Sequence, residues 1–330
     1  MKRAGVMAAA HYLPPLRLSN EDLKQRGIDT SHEWVMSRTG IEYRHVVDTE
    51  TTADMAVQAG QQVLGMSGVS ADQIGMVIVA TTSGDHLGFP STACLVQHRL
   101  QLPSVAAFDL GAACSGFVYA LSVATQFIAT GQVTHALVIG ADALSRWVNW
   151  SDRRTCVLFG DGAGAVVLGP TLGRGVLYSR LYANGEWGGI LQIPSGGVKV
   201  PLSHDVIDSG GHFIQMEGRS VFKVAIQAIV SAIRTALEET GLTWDDIQWF
   251  VPHQANQRII DQVMETLGIP SQKILSSIQA VGNTSAASIP IELSMASQGG
   301  RLKGGDLIMG VGFGAGFTWG VSIFEWGCET

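Results

Sequence analysis

The sequence predicts an α/β protein built from two pseudo-symmetric halves. Of its 330 residues, 46% are hydrophobic, only 15% are charged and 40 are glycines. That composition is typical of buried parallel strands joined by tight turns. Apolar runs of strand length alternate with amphipathic helical stretches along the whole chain. Features of the first half also recur in the second half at a nearly constant spacing.

The internal repeat is clearest in two places. Residues 68–74 match residues 241–247 at an offset of 173, and residues 121–126 match residues 293–298 at an offset of 172. A steady offset of about half the chain indicates two similar βαβ-type units packed face to face. We therefore predict one half over residues 1–172 and the other over 173–330.

The periodicity assigns the elements in order. Capping boxes at 19–22 and 30–33 each predict the start of a short helix. For the rest of the chain, the pattern predicts helices over 52–64, 91–99, 117–128 and 221–239 and a further helix ending near 299–300, with strands at the N-terminus and over 76–80, 105–108, 136–140, 248–251 and 307–312.

Composition excludes several classes of function. A net charge of −7 without a long basic run argues against nucleic-acid binding. The four cysteines lack metal-ligand spacing, so we expect no metal, and their scarcity fits a reducing cytoplasm. No apolar segment approaches the roughly 18 residues of a membrane helix, and the apolar stretch near the N-terminus is short for a signal peptide. We expect no membrane association.

Cys114 lies where the predicted strand 105–108 turns into the predicted helix 117–128. A helix N-terminus favours thiolate over thiol, and its free amides can hold an oxyanion on an acyl group bonded to the sulfur. A buried structural cysteine is the alternative. The repeat places the equivalent turn of the second half at residue 286, three residues after Asn283. If a pseudo-dyad relates the halves, the two turns can face each other.

Two further polar residues occupy strand or helix ends. His253 follows the predicted strand 248–251, at the carboxyl end where α/β sheets bind ligands, and Asn283 lies among small residues that open a helix. A hydrogen-bonded loop histidine and an N-cap asparagine are the ordinary alternatives. The glycine-rich segment 310–317 is followed by no capped helix, so a dinucleotide loop is disfavoured. Cys, His and Asn together suit acyl transfer through a thiolate, although proteases use the same residue types.

The chain is similar over essentially its whole length to the β-ketoacyl-[acyl-carrier-protein] synthase III family, condensing enzymes with a thiolase-like fold. The resemblance implies two pseudo-symmetric halves in a layered α-β-α-β-α arrangement, a homodimer and no cofactor, because the CoA thioester is a substrate. The motifs that carry it are Trp34 with SRTGI at 37–41, GAACSG at 111–116, FGDGAG at 159–164, VPHQAN at 251–256, GNTS at 282–285 and GAGFTWG at 314–320.

The resemblance implies a decarboxylative condensation of an acyl-CoA primer, with acetyl-CoA expected, and malonyl-[acyl-carrier-protein]. The products are 3-oxoacyl-[acyl-carrier-protein], CoA and CO₂, and the reaction starts type II fatty acid synthesis. Cys114 would carry the acyl group, and its amide and that of Ala315 would form the oxyanion hole. His253 and Asn283 would stabilise the enolate left when CO₂ departs.

Other positions match the binding sites of the family. Arg154 stands beside one of them, Arg153, so the sequence leaves open which arginine contacts CoA. A solvated surface is the alternative for the exposed arginines. The matching positions are Thr30, Trp34, Arg38, Arg153, Gly218, Phe222, Ala255 and Asn256 for CoA; Leu144, Phe159 and Leu191, with Phe89 of a partner subunit, for the acyl pocket; and Lys223, Arg258 and Arg219 for the carrier protein.

Three other functions remain to be compared. A specialised relative, for quinolones, polyketide starters or long-chain head-to-head condensation, would carry the same three residues. A thiolase proper needs a second catalytic cysteine near the C-terminal glycine loop, and Cys328 lies beyond that loop. A non-enzymatic binding module on this fold would be expected to lack Cys114, His253 or Asn283, and all three are present.

Overall fold

The computed structural model describes residues 3–328, and within them each predicted helix and strand is found with small shifts at its ends. The predicted N-terminal strand is β1. The elements of the first part of the chain are β1 (Arg3–Tyr12), β2 (Arg17–Ser19), α1 (Asn20–Gln25), α2 (His32–Thr39), β3 (Tyr43–His45), α3 (Thr52–Ser67), β4 (Ile74–Ala80), α4 (Thr92–Arg99), β5 (Ala106–Leu110), α5 (Gly116–Ala129), β6 (His135–Asp142) and β7 (Gly162–Thr171).

The second part of the chain ends in a hairpin, β12 and β13, which contains the glycine-rich segment 310–317. No helix follows that segment, as expected. The elements are β8 (Val176–Ala183), β9 (Leu191–Gln192), α6 (His204–Asp208), β10 (Gln215–Met216), α7 (Gly218–Thr240), β11 (Trp249–Pro252), α8 (Gln257–Leu267), α9 (Ile278–Val281), α10 (Ser288–Gln298), β12 (Leu307–Gly314) and β13 (Thr318–Glu325).

Two mixed sheets share one topology. The first has the strand order β5-β4-β6-β7-β1, and the second has the order β11-β12-β13-β8. In the first sheet β4 and β6 run parallel, while β7 pairs antiparallel with both β6 and β1. In the second sheet β11 and β12 run parallel, while β13 pairs antiparallel with both β12 and β8. The two sheets therefore repeat one pattern, as the half-chain offset predicts.

Helices fill three layers around the two sheets. α5 and α10 lie between the sheets: α5 contacts strands of both, and α10 contacts β1, β7 and β11. The first seven residues of α10 are all buried, which a helix sandwiched between sheets requires. α3 covers the outer face of the first sheet, and α7 covers the outer face of the second. The arrangement is the α-β-α-β-α layering of a thiolase-like fold.

The 23-residue helix α7 was not singled out by its hydropathy in the sequence. By length and composition alone it could cross a membrane. Its apolar face, with Val224, Ile229 and Ile233, is buried in the cluster that β12 and β13 also form. Its other face carries Arg219, Lys223 and other exposed polar residues. Packing against the second sheet accounts for its apolar content.

One predicted helix start is wrong by a residue. The capping box at Ser19 is confirmed, because Ser19 and Asp22 exchange reciprocal hydrogen bonds. At 30–33, however, the N-cap of α2 is Ser31, whose hydroxyl accepts the Trp34 N–H. Adjacent hydroxyl residues made Thr30 and Ser31 equivalent in the sequence. The Thr30 hydroxyl is instead buried without a hydrogen-bond partner.

Candidate active site

The two equivalent turns of the repeat meet, as the sequence predicts. Ala113–Ser115 and Ser285–Ala287 are both single 3₁₀ turns that precede the central helices α5 and α10. Each begins at a non-glycine residue with positive φ, +45° at Ala113 and +54° at Ser285. Such backbone conformations cost energy and cluster at functional sites. The Ser285 hydroxyl donates to Cys114 Sγ at 3.3 Å, so the thiol lies where the two halves touch.

The electrostatics of Cys114 differ from the expectation of a stabilised thiolate. Burial raises the pKa of the Cys114 thiol to about 12, and the nearby Asp142 carboxylate adds to the increase. The hydrogen bond from Ser285 acts in the opposite direction. The expectation from the helix terminus is therefore wrong: Cys114 is only 8% exposed, and desolvation outweighs the effect of the helix terminus on the pKa of its thiol. Cys114 is a neutral thiol until a substrate arrives.

Gly314, at the end of β12, permits the close approach of that strand to the Cys114 turn. A Cβ atom at Gly314 would lie 2.6 Å from the Cys114 backbone nitrogen and 3.0 Å from its Cβ. Neither atom can move without moving the turn itself. The observed position of the Cys114 thiol therefore requires a glycine at residue 314.

This contact gives the first prediction. Gly314→Ala is expected to lower the condensation rate roughly 100-fold, the scale of a displacement of about 1 Å at a reacting group. Gly310→Ala is the matched control on the same strand, because a Cβ there meets nothing closer than 3.7 Å. Steady-state rates and far-UV spectra of both variants provide the measurement. Equal activity of the two variants would contradict the prediction.

His253 is held by two contacts at the end of β11. Its Nδ1 lies 2.7 Å from the Ser288 hydroxyl, and its ring packs edge-on against Phe313 with centroids 5.1 Å apart. Burial lowers the pKa of His253 to about 3, because charging the ring would place a cation in an apolar environment. The imidazole is neutral, and its Nδ1 side is occupied.

Asn283 has a fixed amide orientation. Its Oδ1 accepts the Ser285 N–H at 2.9 Å, which leaves the Nδ2 group as the donor. Its backbone bonds to the segment beside Phe159, because Asn283 N–H donates to the Leu158 carbonyl and Gly160 N–H donates to the Asn283 carbonyl. α10 begins only at Ser288, so Asn283 is not its N-cap, which was the ordinary alternative.

One cavity of about 100 Å³ brings the three residues together. Four of the residues assigned to CoA by the resemblance line the same cavity. Phe159 and Leu191, which the resemblance assigned to the acyl pocket, line it too. Sequence reasoning missed its other apolar walls, because single apolar residues on separate elements carry no local signal. The lining comprises Cys114, His253 and Asn283; the expected Gly218, Phe222, Ala255 and Asn256; and the unanticipated Leu158, Met216, Val221, Ile259, Phe313 and Phe317, among others.

A second, more apolar cavity of about 210 Å³ also reaches Cys114. Leu144, Phe159 and Leu191 line it, as expected for the acyl pocket, and so does Ala315. Its unanticipated lining residues are Thr82, Ala113, Gln192, Ile193, Ile214 and Ser285. Phe89 lies elsewhere on this chain, 87% exposed on its loop.

The remaining residues assigned to CoA lie at the surface. The Arg153 guanidinium lies 5.0 Å from the Trp34 ring centroid and donates to Asp29. Arg154 is paired with Asp152 instead, so of the two arginines only Arg153 contacts Trp34. Arg38 is exposed on α2. Within residues 3–328 no group of three His, Cys, Asp or Glu side chains could hold a metal ion.

A thiol, a neutral imidazole and a carboxamide at the junction of two such halves are typical of thiolase-like condensing enzymes, a class of acyltransferases. Comparison with known proteins narrows the class. A family model described as 3-oxoacyl-[acyl-carrier-protein (ACP)] synthase III matches residues 108–185, and one for the C terminal of the same synthase matches residues 237–326. The chain belongs to the 3-oxoacyl-[acyl-carrier-protein] synthase III family.

Individual relatives agree with this assignment. A β-ketoacyl-[acyl-carrier-protein] synthase III of Caldanaerobacter subterraneus is 45% identical over 98% of both chains. The crystal structure of the synthase III of Aquifex aeolicus is 42% identical, with a TM-score of 0.90 over 98% of this chain and all of that one. The priming β-ketosynthase of the R1128 polyketide pathway is 33% identical, with a TM-score of 0.92 over 100% of this chain and 98% of that one.

Proposed function

We propose that the protein condenses an acyl-CoA primer with malonyl-[acyl-carrier-protein] and so starts type II fatty acid synthesis. The observation that carries the proposal is the cavity in which Cys114, His253 and Asn283 meet, with a second apolar cavity beyond the thiol. The products are 3-oxoacyl-[acyl-carrier-protein], CoA and CO₂. We infer a division of labour between residues 1–172, which contribute the thiol, and residues 173–330, which contribute His253 and Asn283.

The first half-reaction moves the acyl group to Cys114. A bond forms between the cysteine sulfur and the acyl carbonyl carbon, the bond to the CoA sulfur breaks, and the thiol proton leaves with CoA. The backbone amides of Cys114 and Ala315 hold the negative oxygen of the intermediate. Because burial raises the pKa of the Cys114 thiol to about 12, we infer that the thiol loses its proton as its sulfur attacks the bound thioester.

The second half-reaction uses the two donors. When malonyl-carrier protein loses CO₂, the electrons of the broken C–C bond form an enolate whose oxygen accepts hydrogen bonds from His253 Nε2 and Asn283 Nδ2. The enolate carbon then attacks the acyl-Cys114 carbonyl, the C–S bond breaks, and the departing Cys114 sulfur takes up a proton from solvent to restore the thiol. No strong base is required. A histidine whose pKa is lowered to about 3 is a neutral donor, which suits this step.

The residues that line the first cavity also support a binding route for the CoA thioester. Gly218, Phe222, Ala255 and Asn256 line the route by which pantetheine reaches Cys114. Arg153 and Trp34 would hold the nucleotide end of CoA at the surface, with Arg38 and Thr30 nearby on α2 and before it. CoA enters as a thioester substrate, and the proposed mechanism uses no cofactor.

Surface charge supports the docking of an acidic carrier protein. Arg219 and Lys223 are exposed on α7, and Arg258 is exposed on α8. The Arg258 guanidinium lies 5.5 Å from the ring of Phe222, which lines the cavity. Arg219 and Lys223 adjoin Gly218 and Phe222, which line the cavity, so we infer that these cations lie near the entrance through which a pantetheine arm would pass. Contacts of this kind guide association and weaken as salt is raised.

Two features of the structure support a homodimer: the edge of the first sheet and the exposed loop before α4. β5 is an edge strand that pairs on one side only, with β4. Leu87 and Phe89 are 79% and 87% exposed on the loop before α4, although large apolar side chains favour burial. A second copy that pairs with this edge would cover the loop and bring Phe89 to the acyl pocket of that copy.

The four cysteines are all free, which fits a cytoplasmic enzyme.

The test is direct acylation. Purified protein incubated with radiolabelled acetyl-CoA is expected to acquire one acyl group on Cys114 and, with malonyl-carrier protein, to release acetoacetyl-carrier protein. Cys114→Ser is expected to lose the label, whereas Cys94→Ser, which alters an exposed cysteine, is expected to keep it. Equal labelling of the Cys114→Ser protein would overturn the assignment of the nucleophile.

A specialised relative is the second candidate, because the cavity beside Cys114 is lined mainly by apolar groups that could hold a longer primer. Each additional buried methylene contributes about 0.8 kcal/mol to binding. A panel of acetyl-, branched- and octanoyl-CoA primers distinguishes the candidates: preference for acetyl-CoA supports the initiating synthase, and strong preference for octanoyl-CoA supports the specialised enzyme.

A further inference from the structure

We propose that Ser288 is a positioning residue that fixes the tautomer of His253. Its hydroxyl lies 2.7 Å from His253 Nδ1, and both side chains are almost completely buried, at 2% and 1% exposure. The inference rests on the proposed function, in which His253 must donate a hydrogen bond from Nε2. A neutral imidazole carries its proton on only one nitrogen, so the partner of Nδ1 decides whether Nε2 can donate.

The direction of the hydrogen bond follows from the neighbours of Ser288. Its oxygen accepts the Gln254 N–H at 3.3 Å. Within residues 3–328, His253 Nδ1 is the one acceptor within hydrogen-bond range of this hydroxyl. If Nδ1 carried the proton, the hydroxyl would accept twice and its own hydrogen would be buried without a partner, which is unfavourable. The hydroxyl therefore donates to Nδ1, and Nε2 carries the proton.

The position of Ser288 in the chain connects the two proposed hydrogen-bond donors, His253 and Asn283. Ser288 is the first residue of α10, three residues after Ser285, whose N–H donates to Asn283 Oδ1. One short segment thus orients both groups: an amide directs the carboxamide, and a hydroxyl selects the imidazole tautomer. The two donors are aligned before malonyl-carrier protein arrives, so neither has to reorganise during decarboxylation.

The matched variants come from the same helix. Ser288→Ala removes the donor, and Ser288→Thr keeps a hydroxyl. Ser294→Ala is the control, because Ser294 is also buried on α10 and its hydroxyl lies 2.8 Å from Nδ1 of another histidine, His11. Decarboxylation of malonyl-carrier protein and acyl transfer to Cys114 are measured separately. Histidine-labelled protein is also examined by ¹⁵N NMR, with His253→Gln used to identify the resonances.

Ser288→Ala is expected to slow decarboxylation about tenfold, the rate equivalent of one ordinary hydrogen bond, and to leave acyl transfer unchanged. Its NMR spectrum should show a larger fraction of the Nδ1–H tautomer. Ser288→Thr should restore both properties, and Ser294→Ala should resemble the wild type. An unchanged tautomer in Ser288→Ala, or equal loss of both half-reactions, would overturn the proposal. A wild-type protein that does not decarboxylate malonyl-carrier protein would instead refute the proposed function, while the NMR result would still test the role of Ser288.

Discussion

Replacing Asn283 with alanine is expected to slow the decarboxylation of malonyl-carrier protein by about 100- to 1,000-fold, the usual effect of removing one donor from an oxyanion site. His253→Ala is expected to have an effect of similar size. Acyl transfer to Cys114 should continue in both variants, because the amides of Cys114 and Ala315 serve that step. The two half-reactions are measured with malonyl-carrier protein alone and with labelled acyl-CoA alone.

Asn283→Asp separates chemistry from structure at this position. An aspartate keeps the Oδ1 atom that accepts the Ser285 N–H, so the turn retains its hydrogen bond. It lacks the NH₂ group and places a negative charge beside the developing enolate. We expect this variant to decarboxylate no faster than Asn283→Ala and to keep the folded structure, with a lower thermal stability because the new carboxylate is buried. A fully active aspartate variant would show that Asn283 only supports the turn.

The overall architecture and the facing turns of Cys114 and Asn283 could be predicted from the sequence because they follow from the internal repeat. An offset of 172 residues relates the turn of Cys114 to that of Ala286, and turns related by a pseudo-dyad face each other in the fold. His253 was identified by its place at a strand end. Their catalytic roles remain predictions until the half-reactions are measured.

Other features depend on contacts that the local sequence does not specify. Ser288 lies 35 positions from His253, and only the packing of α10 on β11 brings them together. Ile193 and Ile214 join the acyl cavity from a segment with little regular structure. The raised pKa of Cys114 reflects complete burial by both halves, which a helix N-terminus in isolation does not reveal.

The stability of the protein is expected to depend on pH through His253. Its pKa is lowered to about 3 in the folded state, while the unfolded chain has the ordinary value near 6.5. Between these values the unfolded state binds a proton that the folded state does not, so the free energy of unfolding falls as the pH falls. Well above pH 6.5 this contribution is constant. Between pH 7 and pH 5 the expected loss is about 2 kcal/mol.

His253→Gln isolates this contribution, because glutamine is polar but does not titrate. Urea unfolding of both proteins at pH 7, 6 and 5 should show the wild type losing stability relative to the variant. Asp161, whose pKa burial raises to about 6, acts in the opposite direction, since the folded state then holds a proton more tightly than the unfolded one. Asp161 is present in both proteins, so its contribution cancels when the stability of the variant is subtracted from that of the wild type. If the free energies of unfolding of the two proteins changed in parallel with pH, water would have to reach the His253 ring. An imidazole that charges near pH 6 could not be the permanently neutral donor that the mechanism requires.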